Sequence, residues 1–144
     1  MGRLKGKVAI ITGATQGIGQ CAAETFVREE AKVIIAARNE ATGTKLAQSL
    51  GPDADFFRLD VTDPGNWAEC VAFTLARSGK LTPLITNAGT SSRKKIVETT
   101  LAEWHSTLAG NQPGVFLGMK PAIEAILHRG VHRCMPTHFI HKVL

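Results

Sequence analysis

The sequence predicts an α/β fold built on a doubly wound parallel sheet, and three observations carry that expectation. Short apolar runs alternate with amphipathic stretches, the runs lack polar alternation, and a glycine-rich turn joins the first run to the first amphipathic stretch. A strand without polar alternation is buried on both faces, which a parallel sheet with helices on either side provides. Right-handed crossovers between successive strands then set the winding.

The first strand is expected over 7–12, where Val8-Ala9-Ile10-Ile11 is continuously apolar. The turn Thr12-Gly13-Ala14-Thr15-Gln16-Gly17-Ile18-Gly19 leads into a helix over about 18–30. Glycines there let the backbone turn tightly and approach a phosphate, while the free amides and positive dipole end of the new helix stabilise its charge. The second strand, 32–37, contains Val33-Ile34-Ile35-Ala36 and precedes a helix over about 40–50 and a strand over about 55–59. Asp63 as a cap and Pro64 at the first helical position open a helix over about 64–78. Trp67, Val71 and Leu75 recur there at i, i+4 and i+8 and are expected in the core. A fourth strand over about 83–87 and a helix over about 101–128 complete the pattern, which reads as truncated after the fourth βα unit. The fourth strand would then be a sheet edge. The helix face of Val115, Phe116, Met119, Ile123 and Ile126 would lose much of its cover, so self-association is expected.

At 144 residues and 44% hydrophobic content, the chain suits one soluble domain, without internal repeat or linker. The domain is read as residues 1–128 and a divergent basic tail as 129–144. The net charge of +5 arises from 17 basic and 12 acidic side chains, scattered apart from Arg93-Lys94-Lys95. No aromatic residues interleave with that run, so it reads as a solvated loop and no nucleic-acid partner is expected. Cys21, Cys70 and Cys134 are odd in number and far apart, which argues for a reducing compartment and a cytoplasmic address. The start lacks an apolar signal core and no stretch is long enough to span a bilayer, so no membrane association is expected. His128, His132, Cys134, His138 and His141 cluster near the end, but Pro136 interrupts them and no regular paired spacing is present. No metal site is expected.

The glycines at 13, 17 and 19 form Gly-x-x-x-Gly-x-Gly, which differs from the common Gly-x-Gly-x-x-Gly fingerprint. Leu59-Asp60-Val61, Asn87-Ala88-Gly89, Asn111 and the segment Gly114 to Lys120 follow in order. Together these segments resemble the short-chain dehydrogenase/reductase family over about residues 5–128. The resemblance implies a Rossmann-like fold and an oxidoreductase that acts on alcohol or carbonyl groups with a nicotinamide dinucleotide. It implies that Thr12, Gly13, Gln16, Gly17, Ile18 and Gly19 hold the pyrophosphate. Asp60 and Val61 would contact the adenine, and Asn87, Ala88 and Gly89 would line the cofactor, with Thr86 in place of the family's first asparagine. At the end of the second strand Ala37 offers no carboxylate to ribose hydroxyls, whereas Arg38 suits a 2′-phosphate. NADP(H) is therefore the preferred cofactor and NAD(H) the alternative.

The family moves a proton with tyrosine, lysine and serine, and this sequence contains no tyrosine. Nothing after Gly130 resembles the fifth strand, the serine or Tyr-x-x-x-Lys. Ser91 and Ser92 follow the fourth strand rather than the fifth and do not match the serine. Asn111 is the one catalytic match. Gly110 and Pro113 flank it, and a proline inside a helix costs about 3 kcal/mol, so a disturbed setting is expected there. The chain alone is accordingly expected to bind cofactor without catalysis. The alternative is a noncatalytic partner-binding or regulatory fragment, or a non-functional truncated product. In the family the counterpart of the 101–128 helix contributes to subunit contacts, which implies pairing with a second copy or a full-length relative.

Overall fold

Four parallel strands form the sheet of the computed structural model, which describes residues 2–127. β1 (Val8–Thr12), β2 (Lys32–Ala37), β3 (Ala54–Arg58) and β4 (Leu84–Ile85) lie in the order β3-β2-β1-β4. β1 pairs with β2 from Val8 opposite Lys32 to Thr12 opposite Ala36, and β2 pairs with β3 from Val33 opposite Ala54 to Ala37 opposite Arg58. The helices α1 (Gly17–Arg28), α2 (Glu40–Leu50), α3 (Pro64–Ser78), α4 (Leu101–Asn111) and α5 (Pro113–Leu127) cover both faces.

The period of two along each strand divides the core. Ala9, Ile11, Val33 and Ile35 pack with Ala23 of α1 and Ala47 of α2, while Ile10, Ile34 and Ala36 pack with Trp67 and Val71 of α3 and Ala122 and Ile126 of α5. This is the expected doubly wound, Rossmann-like arrangement. Asp63 caps α3 by accepting from the amides of Gly65 and Asn66, with Pro64 at its first helical position. Trp67 and Val71 are buried and Leu75 packs against the same cluster.

Two expectations need correction. The fourth strand is only Leu84–Ile85 rather than 83–87. Pro83 has no amide to give, and the Asn87 amide turns back to the Ile85 carbonyl at 3.1 Å. The expected helix 101–128 is two helices. Gln112 departs from helical torsions at φ −122° and ψ −68°, because the ring of Pro113 disfavours a helical residue before it. Pro113 itself starts α5, where a missing donor costs nothing, so the interior-proline penalty does not arise.

The apolar face of α5 also divides. Gly114, Gly118, Ala122 and Ile126 are buried, and a Cβ at Gly118 would run into the Trp67 ring. Val115, Met119 and Ile123 are half-buried and Phe116 is exposed, so cover is lost at the outer side and not at Ile126. β4 lies at the sheet edge among the described residues. No described helix is long and apolar enough to cross a membrane. The 129–144 tail and the histidine cluster from His128 onward lie outside the described residues.

The start of the chain is tied to the end of α1. Glu29 accepts from the amides of Gly2 at 3.0 Å and Arg3 at 3.1 Å, and pairs with the Arg3 guanidinium at 3.1 Å. The Arg3 side chain, followed by its amide, lowers the Glu29 carboxyl from 4.5 to about 2. A carboxyl lowered on folding stabilises the fold fully above its unfolded value and loses that contribution as pH falls through the folded one. The Glu29→Gln variant should therefore show a smaller fall in thermal midpoint than the parent between about pH 5 and pH 2. Identical profiles would contradict this role.

Candidate functional site

The carboxyl ends of the strands bring most of the expected residues together, at the position where open α/β sheets hold ligands. Gly13 follows β1 with φ +63°, and a Cβ there would lie 2.8 Å from the Ala88 Cα. Gly19 is buried, and a Cβ there would lie 2.5 Å from the Gly13 carbonyl and also meet the Asn87 amide group. Gly17 opens α1 with φ +55°, and a Cβ at this position would find nothing within 4 Å. Two glycines thus close the turn on the protein, and the third leaves open space before the helix. Gln16, the N-cap, is extended and makes no side-chain cap hydrogen bond, and the first turn has no acidic residue. Its amides and dipole are left for an anion. Ile18 projects outward, 80% exposed.

The turn is braced from across the sheet. Thr12 is buried, and its Oγ1 accepts from the amides of Asn87 at 3.0 Å and Ala88 at 2.9 Å. The Asn87 side chain donates to the carbonyls of Thr12 at 3.0 Å and Gly13 at 3.3 Å. Asn87 and Ala88 therefore hold the glycine turn in shape. Further along, the Asn111 side chain accepts from the Thr90 amide at 2.8 Å and donates to the Thr90 carbonyl at 2.7 Å. A Cβ at Gly89 would lie 2.9 Å from the Asn111 Oδ1, so glycine admits this contact. Asn111 is the last residue of α4, and the helix break after it leaves this double hydrogen bond intact. The turn, the segment 87–90 and Asn111 form one connected unit.

A second unit lies beyond β2 and β3. Arg38, Arg58, Asp60 and Asn66 line a cavity of about 310 Å³. Asp60 Oδ1 accepts from the Thr62 amide at 2.9 Å and its hydroxyl at 2.7 Å. These hydrogen bonds, and secondarily the charge of Arg38, hold the Asp60 carboxyl below its ordinary range. The Val61 carbonyl accepts from the Trp67 indole at 3.0 Å, which fixes the loop after β3. The Gly13 amide donates to the Ala36 carbonyl at 2.9 Å and so links the two units.

Sequence reasoning missed Arg58, Asn66 and Thr90. Arg58 reaches the cavity through its register with Ala37, and Asn66 through a hydrogen bond from the Asp60 amide. Only pairing across strands could have exposed the first. Another cavity, of about 350 Å³, lies at the opposite end of the sheet beside Lys32, Asp53, Asp55 and Arg77. Arg77 is already paired with Asp55 at 2.6 Å, so that cavity offers no unmatched charge from it. Of the basic run, Lys94 is bonded to Glu103 and Lys95 lies 4.0 Å from Glu98. Among the described residues no group of histidine, cysteine or carboxylate side chains is arranged to hold a metal.

The short chain dehydrogenase family model matches residues 7–132. The chain belongs to the short-chain dehydrogenase/reductase family. It is similar to the NADP-dependent (R)-specific alcohol dehydrogenase of Lentilactobacillus kefiri, 39% identical over 131 residues that cover 90% of this chain and 52% of that protein. Momilactone A synthase of Oryza sativa subsp. japonica is 42% identical over 127 residues, covering 86% of this chain and 46% of that protein. Sorbitol dehydrogenase of Cereibacter sphaeroides is 38% identical over 128 residues, 89% of this chain and 50% of that protein. The chain spans about half the length of these curated relatives. Family membership agrees with the Rossmann-like α/β fold described above.

Proposed function

We propose that this chain is the dinucleotide-binding half of an NADP(H)-dependent oxidoreductase of alcohol or carbonyl groups. The observation that carries the reading is the uncapped start of α1, with Gly13 and Gly19 packed inward and Gly17 open to the space in front of it. Thr12, Gly13, Gln16, Gly17, Ile18 and Gly19 would surround the pyrophosphate, which the helix amides and dipole stabilise. Asp60, kept ionised by Thr62, would accept from the adenine amine, with Val61 beside it. Asn87, Ala88 and Gly89 would line the nicotinamide side, and Asn111 would position them by gripping Thr90.

The bound cofactor supplies or accepts a hydride. The accompanying proton needs an acid/base, which the family draws from tyrosine, and this chain has none. Groups that act as a catalytic unit fail together when one is missing, so the chain by itself should bind without turnover. The absence of a carboxylate at Ala37, the adjacent Arg38 and the NADP-dependent relative support NADP(H) over NAD(H). A cytoplasmic address goes with this reading, as the described cysteines Cys21 and Cys70 are free.

Calorimetric titration of the purified chain tests the proposal. NADPH should bind more tightly than NADH, Arg38→Ala should reduce the preference, and no alcohol or ketone should be turned over above the uncatalysed rate. An unchanged preference after Arg38→Ala, or turnover abolished by Gly17→Val, would contradict it. A second reading, docking to another copy or a full-length relative, is favoured by Ile96, Val97, Leu101 and Phe116, which are 66–86% exposed. A stable monomer by light scattering would remove it.

A further inference from the structure

The cavity beyond β2 and β3 contains more positive charge than its own carboxylate, Asp60, can balance. Arg38 follows the last residue of β2, and Arg58 ends β3 directly opposite Ala37. Adjacent strands are about 4.8 Å apart, so Arg58 lies one strand spacing from Ala37, the neighbour of Arg38, and both arginines line the same cavity. Elsewhere Arg3 is paired with Glu29, Arg77 with Asp55, and Arg28 donates to Thr25, while Arg93 lies exposed in the loop after β4, outside any cavity described above, with no side-chain hydrogen bond or ion pair among the described residues. The Arg38 and Arg58 side chains have no hydrogen bond or ion pair among the described residues. Like charges lining one cavity repel, and these side chains' donors are unmatched by the protein.

The other polar groups of the cavity are largely committed. Asp60 Oδ1 is held by Thr62, and Asn66 accepts from the Asp60 amide and donates to Glu69 at 3.1 Å. Two positive charges therefore face one carboxylate, and the excess calls for an anion. At about 310 Å³ the cavity is at the small end of ligand pockets, which run roughly 300–1,000 Å³, and suits a phosphorylated sugar rather than a whole dinucleotide.

We propose that Arg58 is a second anchor for the 2′-phosphate of NADP(H), forming with Arg38 a two-guanidinium clamp across the ends of β2 and β3. The inference rests on the NADP(H) reading above and adds to it a specificity-determining residue on a different strand. Guanidinium forks match phosphate oxygens and form charge-assisted hydrogen bonds, so two of them discriminate a 2′-phosphate from a hydroxyl more sharply than one.

The test uses adenosine 2′,5′-bisphosphate and 5′-AMP, titrated calorimetrically into the full chain and its Arg58→Gln, Arg58→Lys and Arg38→Gln variants. Both positions are exposed, and unchanged thermal midpoints without nucleotide verify folding. Arg58→Gln should weaken the bisphosphate by about tenfold and 5′-AMP by less than about twofold, with partial recovery in Arg58→Lys. Full bisphosphate affinity in Arg58→Gln, together with loss in Arg38→Gln, would overturn the clamp and leave the NADP(H) reading standing. Equal weakening of both nucleotides by Arg58→Gln would overturn it as well, since the arginine would then act on any phosphate. Full affinity in both glutamine variants, or no binding by the parent, would overturn the clamp and the NADP(H) reading together.

Discussion

Replacing Trp67 with alanine should destabilise the chain by about 3–5 kcal/mol, the usual range for emptying a buried large aromatic site. Trp67 is 1% exposed and lies in the core cluster that joins the sheet to α3 and α5. Its ring occupies the space that a Cβ at Gly118 would need, so the two residues fit only as a pair. Its indole N–H also holds the Val61 carbonyl at 3.0 Å, which couples the core to the loop after β3. Domains of this size are stable by only about 5–15 kcal/mol, so the loss should move the urea midpoint substantially. A Trp67→Phe variant should retain most of the packing and lose about 1 kcal/mol with the hydrogen bond. A parental midpoint in Trp67→Ala would show that α5 does not depend on this contact.

Gly13→Val should be nearly as damaging, for a different reason. A branched residue at φ +63° occupies a left-handed conformation that costs about 1–2 kcal/mol, and its Cβ would lie 2.8 Å from the Ala88 Cα. Overpacking adds about 1–3 kcal/mol and would push the 87–90 segment from its place on Thr12. Chemical denaturation should register the combined loss, and binding of NADPH should vanish with the displaced turn. Parental stability in Gly13→Val would mean that the turn is looser than its contacts indicate.

Features written in short stretches were legible in the sequence. The unbroken apolarity of Val33 to Ala36 gave a strand buried on both faces, and Asp63-Pro64 gave the start of α3 because a cap acts within three residues. The glycine turn was readable for the same reason. The helix break was harder to place, since helix-compatible apolar stretches lie on either side of Gly110 to Pro113 and the departure is confined to Gln112. Least legible were contacts between distant segments. The hydrogen bonds from Asn87 and Ala88 to Thr12 span about 75 residues, and Arg58 reaches its cavity only through the register of β3 on β2. Side-chain identity gives no sign of either.

The central claim is that the start of α1 grips a dinucleotide through backbone that only small residues leave open. Gly17 isolates that claim, because a Cβ there meets nothing within 4 Å and Gly17→Val should cost only the left-handed conformation, about 1–2 kcal/mol. Titration of NADPH into the parent and into Gly17→Val, each checked for a folded circular dichroism spectrum, is the direct measurement. Saturable binding by the parent and none by the folded variant is the result expected. Equal binding by both, or none by the parent, would contradict the account.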